Sequence, residues 1–542
     1  MRNGRTDVNL IPMNDRQPCV WLEQNADKSP GKVFLIFPAE GLQLTYAAAF
    51  EAGRRHAAFM LEELGLVRGD NVALMLPNGS SWAKAWFGSM LGGLVDVGIH
   101  PDLSGLLLSH QLRAARVTAV FCEASTVRKI VDAVNASPAD IRLKTLVISD
   151  TIDSGLLADA CKLGFSMVSL AGAENQAPAV HVARDIQGLM SIRFTSGTTG
   201  PAKAATLTTS QVAVWADYMV QLMSFTGSDK LYAPYPLHHH LASIMGIAGA
   251  LRAGGTCIVD RQFSASQFWN QCIKYEATLG LILDPVVNIL LKTSPSPQDQ
   301  AHAVRRFYIA RPNKAFEARF NTKLQTAFAM TEASVLTYLE EGDEIESPQC
   351  VGRPNPHFAV RVFNEIDEDM PVGKKGEIVF RPRHPYTSMI AYFEDPANTM
   401  KACRNLWFHT GDVGSIDSEG YVYFYERMGD TIRRRGVNIP SFHIEEAALA
   451  FAGVAEAVAV AVPAEVGEFE VKLCILENSP NEVSPEALIR WMCKQLPREM
   501  VPRFLEVKKA FPRTITQKVI KRELREEGVT AQTLNTDQWL DK

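Results

Sequence analysis

Hydrophobic positions in the first half of the chain alternate between short runs and helical spacing. Short runs rich in β-branched and aromatic residues predict strands at 33–37, 72–76, 117–121 and 145–148. Apolar residues three and four positions apart predict helices at 46–64, behind Thr45 as the N-cap, and at 81–94 and 126–134. Because strands alternate with helices, the predicted fold class is α/β, with layers of helices on largely parallel sheet.

This pattern restarts near the C-terminus. A strand-like aromatic run at 421–425 is followed by charged residues over 426–435, and a separate α/β pattern begins at 443–451 and 454–462. We therefore predict a large N-terminal domain of layered α/β subdomains over 1–429. A small α+β domain should occupy 430–542, with a hinge near Asp430.

Composition narrows the class of protein. A chain of 542 residues with 21% charged and 46% hydrophobic residues is typical of a globular protein with more than one domain. The formal charge of −5 gives no general attraction to nucleic acid or anionic lipid. The nine cysteines are widely spaced, and neither a secretory leader nor an apolar run of membrane-spanning length is visible. We expect a cytoplasmic protein without membrane spans or nucleic-acid partners.

A run of hydroxyls and glycines that ends in a lysine is the first candidate site. It contains Thr195, Ser196, Gly197, Thr198, Thr199, Gly200 and Lys203. Glycine N–H groups can approach an anion closely, hydroxyls add neutral donors, and a lysine adds a movable charge. The spacing is not that of a P-loop, because no Lys-Ser or Lys-Thr pair follows. The run predicts a phosphate-binding loop of another kind, with a surface turn as the alternative.

Four further motifs follow the loop at long intervals. They are Phe-Ala-Met-Thr-Glu at 328–332, Thr-Gly-Asp at 410–412, Arg-Met-Gly-Asp-Thr-Ile-Arg-Arg-Arg-Gly at 427–436 and Pro-Arg-Thr-Ile-Thr-Gln-Lys at 512–518. In this order the set resembles the adenylate-forming superfamily of acyl-CoA synthetases, peptide-synthetase adenylation domains and luciferases. Residues 263–278 and 516–519 look most like the carnitine/crotonobetaine-CoA ligase branch. The resemblance implies an acyl-CoA synthetase-like fold whose small C-terminal domain moves about Asp430.

The resemblance also implies roles at a nucleotide site. The loop from Thr195 to Lys203 would hold the β- and γ-phosphates of ATP, and Thr331 would donate to a phosphate. Glu332 would bind Mg²⁺, which prefers hard oxygen ligands. Phe328 would stack on adenine, unless it is a core aromatic residue.

Two residues of later motifs would complete the nucleotide contacts. Asp412 would accept hydrogen bonds from both ribose hydroxyls, with a solvated turn residue as the alternative. Arg427 would add another nucleotide contact, against an ordinary surface arginine.

Three residues would serve the acyl group and its transfer. Lys518 would bridge the substrate carboxylate and the α-phosphate during adenylation, and Gly436 would lie beside the pantetheine channel of CoA. His239 falls at the acyl-pocket position, with a structural histidine as the alternative. We do not interpret His238, His239 and His240 as a metal site, because consecutive side chains do not converge on one ion.

Three positions depart from the glycines that are common in the family. Ala329 would tighten the acyl or adenine cleft, Arg435 would alter the entry of CoA, and Gln517 would change the loop before Lys518.

Together the motifs predict an AMP-forming acid–thiol ligase. A carboxylic acid and ATP would give acyl-AMP and pyrophosphate with Mg²⁺ bound, and CoA would then take the acyl group. Residues 240–245 and 333–336 contain no acidic side chain, which predicts a neutral, largely apolar acid and counts against amino acids and carnitine.

The motifs leave other functions open. A stand-alone adenylating enzyme that loads the phosphopantetheine of an acyl-carrier protein and a luciferase-like oxygenase would need the same adenylation residues. A catalytically inactive nucleotide-binding regulator would be expected to lose Lys518 or Glu332, and both are present.

Overall fold

The computed structural model describes residues 9–136, 141–151, 154–178, 185–195, 201–343, 345, 347, 349–428, 431–434, 437–463, 469–512, 519 and 521–540. The strands are β1 Val33–Phe37, β2 Leu42–Thr45, β3 Asn71–Met75, β4 Val95–Gly98, β5 Ala119–Cys122, β6 Thr145–Ile148, β7 Ser166–Ser169, β8 Leu189–Thr195, β9 Lys203–Thr208, β10 Lys230–Ala233, β11 Thr256–Val259, β12 Leu279–Leu281, β13 Arg306–Ile309, β14 Lys323–Met330, β15 Ser334–Tyr338, β16 Cys350–Pro354, β17 Phe358–Phe363, β18 Gly376–Pro382, β19 Phe408–Ile416, β20 Val422–Arg427, β21 Thr431–Arg434, β22 Val437–Pro440, β23 Val454–Pro463, β24 Phe469–Glu477, β25 Phe504–Val507 and β26 Leu534–Asn535.

The α-helices are α1 Pro18–Lys28, α2 Tyr46–Ala58, α3 Ser80–Gly92, α4 Gly105–Ala114, α5 Ala124–Ala136, α6 Ser154–Lys162, α7 Thr209–Met223, α8 Gly249–Ala253, α9 Phe268–Lys274, α10 Asp284–Lys292, α11 Lys314–Phe320, α12 Pro396–Ala402, α13 Ser441–Leu449, α14 Pro485–Gln495 and α15 Lys521–Glu527. Two π-helical segments are Phe59–Glu63 and Leu241–Ala248. Short 3-10 helices are Met13–Asp15, Pro38–Glu40, Leu170–Asn175, Pro297–Gln300, Arg404–Leu406, Arg498–Met500 and Thr536–Trp539.

The predicted elements of the first half are present. β1 and β6 have the predicted bounds, and the predicted helix over 46–64 is α2 followed by the π-helical segment. The Thr45 side chain accepts a hydrogen bond from the Ala48 N–H at 3.2 Å, which confirms the predicted N-cap.

Two large sheets form the N-terminal part. Within the described residues one sheet has seven strands in the order β7-β6-β5-β3-β4-β8-β9, all parallel except the last pair. The other has thirteen strands in the order β17-β18-β19-β20-β16-β15-β14-β13-β12-β10-β11-β1-β2. Its run from β14 to β1 is parallel, whereas the strands from β15 to β17 pair antiparallel. The predicted α/β class with parallel sheet is confirmed.

Helices α2 and α3 cover these sheets and make a core contact with each other. Trp82 and Trp86 of α3 are fully buried, and α2 lies close enough that a Cβ on Gly88 would be 2.5 Å from the His56 Cβ. Only glycine allows this approach of the two helices. The tight packing between α2 and α3 holds the two helices in a fixed position against the sheets.

The C-terminal part has its own sheet, β23-β24-β25-β26, with α13 and α14 packed near it. It contacts the N-terminal part through α14, because the Ser104 hydroxyl donates to the Lys494 carbonyl at 3.2 Å. Asp430 lies outside the described residues, so the domain boundary and hinge there stay predictions. Among the helices of the described segments, none has both the length and the apolar character needed to cross a bilayer.

Candidate active site

A large cavity lies where strands of both sheets end. Its volume is about 1260 Å³. Residues that follow the carboxyl ends of the parallel strands β4, β8, β10, β12, β13 and β14 line it, which is where ligands bind in open α/β sheets. The cavity brings together seven of the predicted site residues: Thr195, Lys203, His239, Phe328, Thr331, Glu332 and Asp412.

Other predicted residues fall outside the described part of the chain. These are Ser196, Gly197, Thr198, Thr199, Gly200, Gly436 and Lys518, together with Arg435 and Gln517 of the departures from the family pattern. Arg427 ends β20, where its Cα is the register partner of Asp412 on β19. Its nucleotide contact stays a prediction.

Glu332 and Lys203 meet at a tyrosine that the motifs did not include. The Tyr392 hydroxyl donates to the Glu332 Oε1 at 2.9 Å, and the Lys203 Nζ lies 4.9 Å from the centre of the Tyr392 ring. The Met389 N–H donates to the Glu332 carbonyl at 2.7 Å. Since Lys203 is also the register partner of Thr195, the start of β9 places the lysine beside the end of β8. Tyr392 therefore holds the carboxylate in a fixed orientation beside a cation.

Mg²⁺ fits this carboxylate. Glu332 is 7% exposed and lines the cavity, and a carboxylate that accepts one hydrogen bond still has a second oxygen. The described residues contain no cluster of three or more metal-ligating side chains. That donor set suits Mg²⁺, which is commonly held by one or two carboxylates together with the phosphates of a nucleotide.

An aromatic wall lies next to the carboxylate. The Phe328 ring stacks on the ring of Phe424 in β20. The ring centres are 5.8 Å apart, and the ring planes are inclined by 25°. The Arg311 guanidinium lies 5.5 Å from the centre of the Phe424 ring. All three side chains line the cavity, so they present flat surfaces on which a purine can stack.

Asp412 is held by a hydrogen-bonded turn. It is 1% exposed, and its N–H donates to the Thr410 Oγ1 at 3.0 Å. Gly411 has a φ of +71°, which favours glycine, and its N–H donates to the Glu377 Oε1 at 3.0 Å. The His409 Nδ1 lies 2.8 Å from the other Glu377 oxygen. We call the group formed by Lys203, Phe328, Glu332 and Asp412 the nucleotide end of the cavity.

Three consecutive histidines and Arg193 form a second group, which we call the histidine end. The rings of His239 and His240 are 4.0 Å apart, and His240 stacks on Trp215 at 4.4 Å. The His240 Nδ1 lies 3.3 Å from the Thr331 Oγ1, which joins the two ends. All four members line the same cavity.

Burial favours the neutral form of these histidines. Burial, with a smaller contribution from Arg193, lowers the pKa of His239 to about 4, and burial also holds the pKa values of His238 and His240 well below the usual range. The His239 Nδ1 accepts a hydrogen bond from the Leu241 N–H at 3.2 Å, so the neutral ring carries its proton on Nε2. The predicted acyl-pocket residue therefore offers a neutral donor to the cavity.

The C-terminal part closes another side of the cavity. Arg433, Val437, His443 and Met500 contribute to its lining. Burial, followed by the neighbouring His110, lowers the pKa of His443 to about 4. Side chains from both parts of the chain thus line one cavity.

Comparison with protein families identifies this arrangement. The model of the AMP-binding enzyme family matches residues 22–389, and the model of the C-terminal domain of AMP-binding enzymes matches residues 443–518. The chain belongs to the AMP-binding enzyme family. The prediction of an adenylate-forming enzyme with an acyl-CoA synthetase-like fold is confirmed.

Relatives of this AMP-binding enzyme match nearly its whole length. Long-chain fatty acid transport protein 6 of Mus musculus is 29% identical over 92% of this chain and 83% of its own length. A crotonobetaine/carnitine–CoA ligase of Citrobacter koseri is 27% identical over 91% and 96%. The structure of an amide bond synthetase from Marinactinospora thermotolerans superimposes with a TM-score of 0.80 at 22% identity, covering 94% of this chain and 99% of that one. The resemblance to the carnitine/crotonobetaine-CoA ligase branch is confirmed by the second of these.

Sequence reasoning missed several lining residues of this AMP-binding enzyme. Tyr392 and Arg311 lie in no predicted motif, and they reach the cavity only through tertiary packing. Phe424 lay inside the aromatic run at 421–425 without being singled out. Arg193 carried a usable signal, because it is a charged residue in a strand and lies two positions before Thr195, on the same face.

Proposed function

We propose that this AMP-binding enzyme is an AMP-forming acid–thiol ligase that converts a carboxylic acid, ATP and CoA into acyl-CoA, AMP and pyrophosphate. One observation carries the proposal: motif residues from segments hundreds of positions apart line a single cavity, with Glu332, Tyr392 and Lys203 in contact. The CoA ligases among its relatives support the same reaction.

In the first step, a carboxylate oxygen of the acid attacks the α-phosphorus of ATP, and the bond to the β-phosphate breaks. The step needs neutralisation of charge more than covalent catalysis. Lys203 and the hydroxyls from Thr195 onward face the phosphates, and Lys518 holds the two reacting anions together. Glu332 would hold Mg²⁺, which would supply neutralisation of phosphate charge. Phe328 stacks on adenine, and Asp412 accepts hydrogen bonds from the ribose hydroxyls.

In the second step, the CoA sulfur attacks the acyl carbon, loses its proton and displaces AMP. The small domain, with its boundary at Asp430, withdraws Lys518 and brings Gly436 to the pantetheine channel. The lining by Val437 and Met500 supports this part of the proposal, because these side chains already border the cavity.

The acid is neutral and largely apolar apart from its carboxylate. Leu241, Met245, Leu283 and Val286 line the cavity beyond the histidines. None of these side chains can pair with an ammonium group, and Asp96 is already paired with Arg193, so a cationic acid such as carnitine or an amino acid finds no counter-charge there.

The test is acid-dependent ATP–pyrophosphate exchange, followed by thioester formation with CoA, over a panel of aliphatic, aryl and terpenoid acids, amino acids and carnitine. Apolar acids should exceed amino acids and carnitine in kcat/KM by at least about tenfold. Glu332→Gln should lower exchange by roughly 100-fold or more, because the metal-binding charge is lost. Glu276→Gln, a change at an exposed glutamate outside the cavity lining, is the matched control and should leave exchange unchanged.

The two measurements test the adenylation step and the identity of the acyl acceptor separately. Near-normal exchange in Glu332→Gln would sink the assignment of that carboxylate. Exchange without any acyl-CoA product, but with acylation of a phosphopantetheine-bearing carrier protein, would identify the carrier as the acceptor instead of CoA.

A further inference from the structure

Arg193 is a buried cation in the wall of the cavity. It lies on β8 with its Cα in register with Gly98 of β4, and it is 2% exposed. A Cβ on Gly98 would be 2.4 Å from the His238 carbonyl oxygen and 3.2 Å from the Arg193 Cδ. The absence of a side chain at Gly98 therefore lets the arginine lie directly beside the histidine segment.

Of the three guanidinium nitrogens of Arg193, only Nη1 has hydrogen-bond partners among the described residues. The Arg193 Nη1 pairs with the Asp96 carboxylate and donates to the Ile192 carbonyl at 3.1 Å. Asp96 also accepts from the Trp86 Nε1 at 3.0 Å and from the Ser191 hydroxyl at 3.3 Å, so its position is fixed. The Arg193 Nε and Nη2 are buried and have no hydrogen-bond acceptor among the described residues. Leaving two donors of a buried guanidinium without acceptors is costly, which points to an acceptor that a ligand supplies.

The charges around Arg193 determine which acceptor fits. Asp96 already neutralises the guanidinium, and the three neighbouring histidines are neutral because burial lowers their pKa values. A second carboxylate would therefore bring an uncompensated charge into a buried site. A neutral oxygen can accept the two N–H groups without that cost.

We propose that Arg193 forms a second polar subsite of the acid pocket, which binds a neutral oxygen, a ketone or a hydroxyl, carried by the acyl part of the substrate. Arg193 is then a specificity-determining residue of the histidine end. This inference rests on the proposed adenylation of a carboxylic acid and names the class of acid within it: an oxo- or hydroxy-substituted, otherwise apolar acid.

The experiment compares acids in pairs. Straight-chain acids with a ketone at successive positions are each paired with the methylene acid of the same length, and pyrophosphate exchange is measured for every pair. In the wild type, at least one ketone position should raise kcat/KM by at least about tenfold over its methylene partner. The ratio within a pair is internal to each variant, so it does not depend on the amount of folded enzyme.

Three variants test whether Arg193 causes the preference for the ketone acid. Arg193→Lys keeps a charge for Asp96 but loses the planar set of donors, and it should lose the ketone preference. Arg193→Met combined with Asp96→Asn removes both charges and should lose it as well, while the methylene acids are still activated. Asp96→Asn alone leaves the arginine unneutralised, so it should retain the ketone preference and improve relative activity toward acids with a second carboxylate at that position.

Other results would overturn the inference. These are a wild type without preference at any ketone position, or a preference that survives in both arginine variants. A raised KM for CoA with unchanged acid ratios would also overturn it, because Arg193 would then serve the acceptor. Absence of acid-dependent exchange in the wild type with every acid would instead overturn the proposed function, and this inference with it.

Discussion

The nucleotide end and the histidine end of the cavity use charged and titratable side chains in opposite ways. At the nucleotide end, the Tyr392 hydroxyl donates to Glu332 while the Tyr392 ring lies beside the Lys203 ammonium, so a carboxylate and a cation are held close together. At the histidine end, burial lowers the pKa of His239 to about 4, and Asp96 neutralises Arg193. The nucleotide end therefore offers charged side chains to a ligand, whereas the side chains of the histidine end are neutral or already paired with an opposite charge.

This difference explains why one end follows from the sequence and the other does not. A phosphate requires cations, hydroxyls and a metal-binding carboxylate, and these residue types recur in recognisable order. An acyl group requires shape and a few hydrogen bonds, which depend on how distant segments pack. The contact between Thr331 and His240 shows that the two ends adjoin, so the difference arises from local packing and not from separation.

The largest expected effect separates the two proposed half-reactions. Lys518→Ala should lower pyrophosphate exchange by at least about 100-fold, because the lysine charge is useful only while two anions approach. It should still convert supplied acyl-AMP and CoA into thioester. Gly436→Leu should behave oppositely, because the proposed position of Gly436 beside the pantetheine channel means that a side chain there would obstruct CoA and not ATP.

Both half-reactions on both variants, with chemically made acyl-AMP for the second, give the measurement. Lys494→Ala, a change at an exposed lysine of α14, is the control and should leave both unchanged. If the two substitutions depressed both half-reactions equally, a single fixed active site would be the better account, and rotation about Asp430 would lose its support.

The sequence predicted much of the fold because its patterns are local. β1, β6 and the N-cap at Thr45 follow from residues within a few positions of each other. The end of the first long helix was less predictable, since apolar spacing continues through the π-helical segment Phe59–Glu63 without a stop signal. Tyr392 could not be assigned from spacing, because its role exists only once it lies against Glu332, sixty positions earlier.

A second, smaller effect tests that contact. Tyr392→Phe keeps the ring under Lys203 but removes the hydroxyl that orients Glu332, so we expect pyrophosphate exchange to fall by about tenfold. The matched control is Tyr423→Phe, which removes a similar bond, 2.9 Å to Asp417, outside the cavity lining. If Glu332 is a metal ligand, raising the Mg²⁺ concentration should restore part of the Tyr392→Phe activity. An equal loss in both variants would show that Tyr392 acts on stability and not on the site.

The smallest expected effect tests whether the histidine end is neutral. In the folded enzyme the pKa of His239 is about 4, against about 6.5 in an unfolded chain. Between these values the unfolded state binds the proton and the folded state does not, so stability falls as the pH falls from about 6.5 to about 4. The full shift corresponds to roughly 3 kcal/mol, but the ring faces the cavity, and screening by water there leaves an expected contribution of about 1 kcal/mol. His239→Asn, whose side-chain oxygen can still accept from the Leu241 N–H, should therefore lose less stability between pH 7 and pH 5 than the wild type does, measured by urea unfolding.

His56→Asn provides the comparison, because burial also lowers the pKa of His56 to about 4, at the contact of α2 with α3 outside the cavity lining. That variant should lessen the pH dependence at least as much, because His56 is buried away from the cavity, but it should leave acid preference unchanged. An undiminished pH dependence in His239→Asn would mean that His239 is charged in the folded enzyme, and the contrast between the two ends would fail.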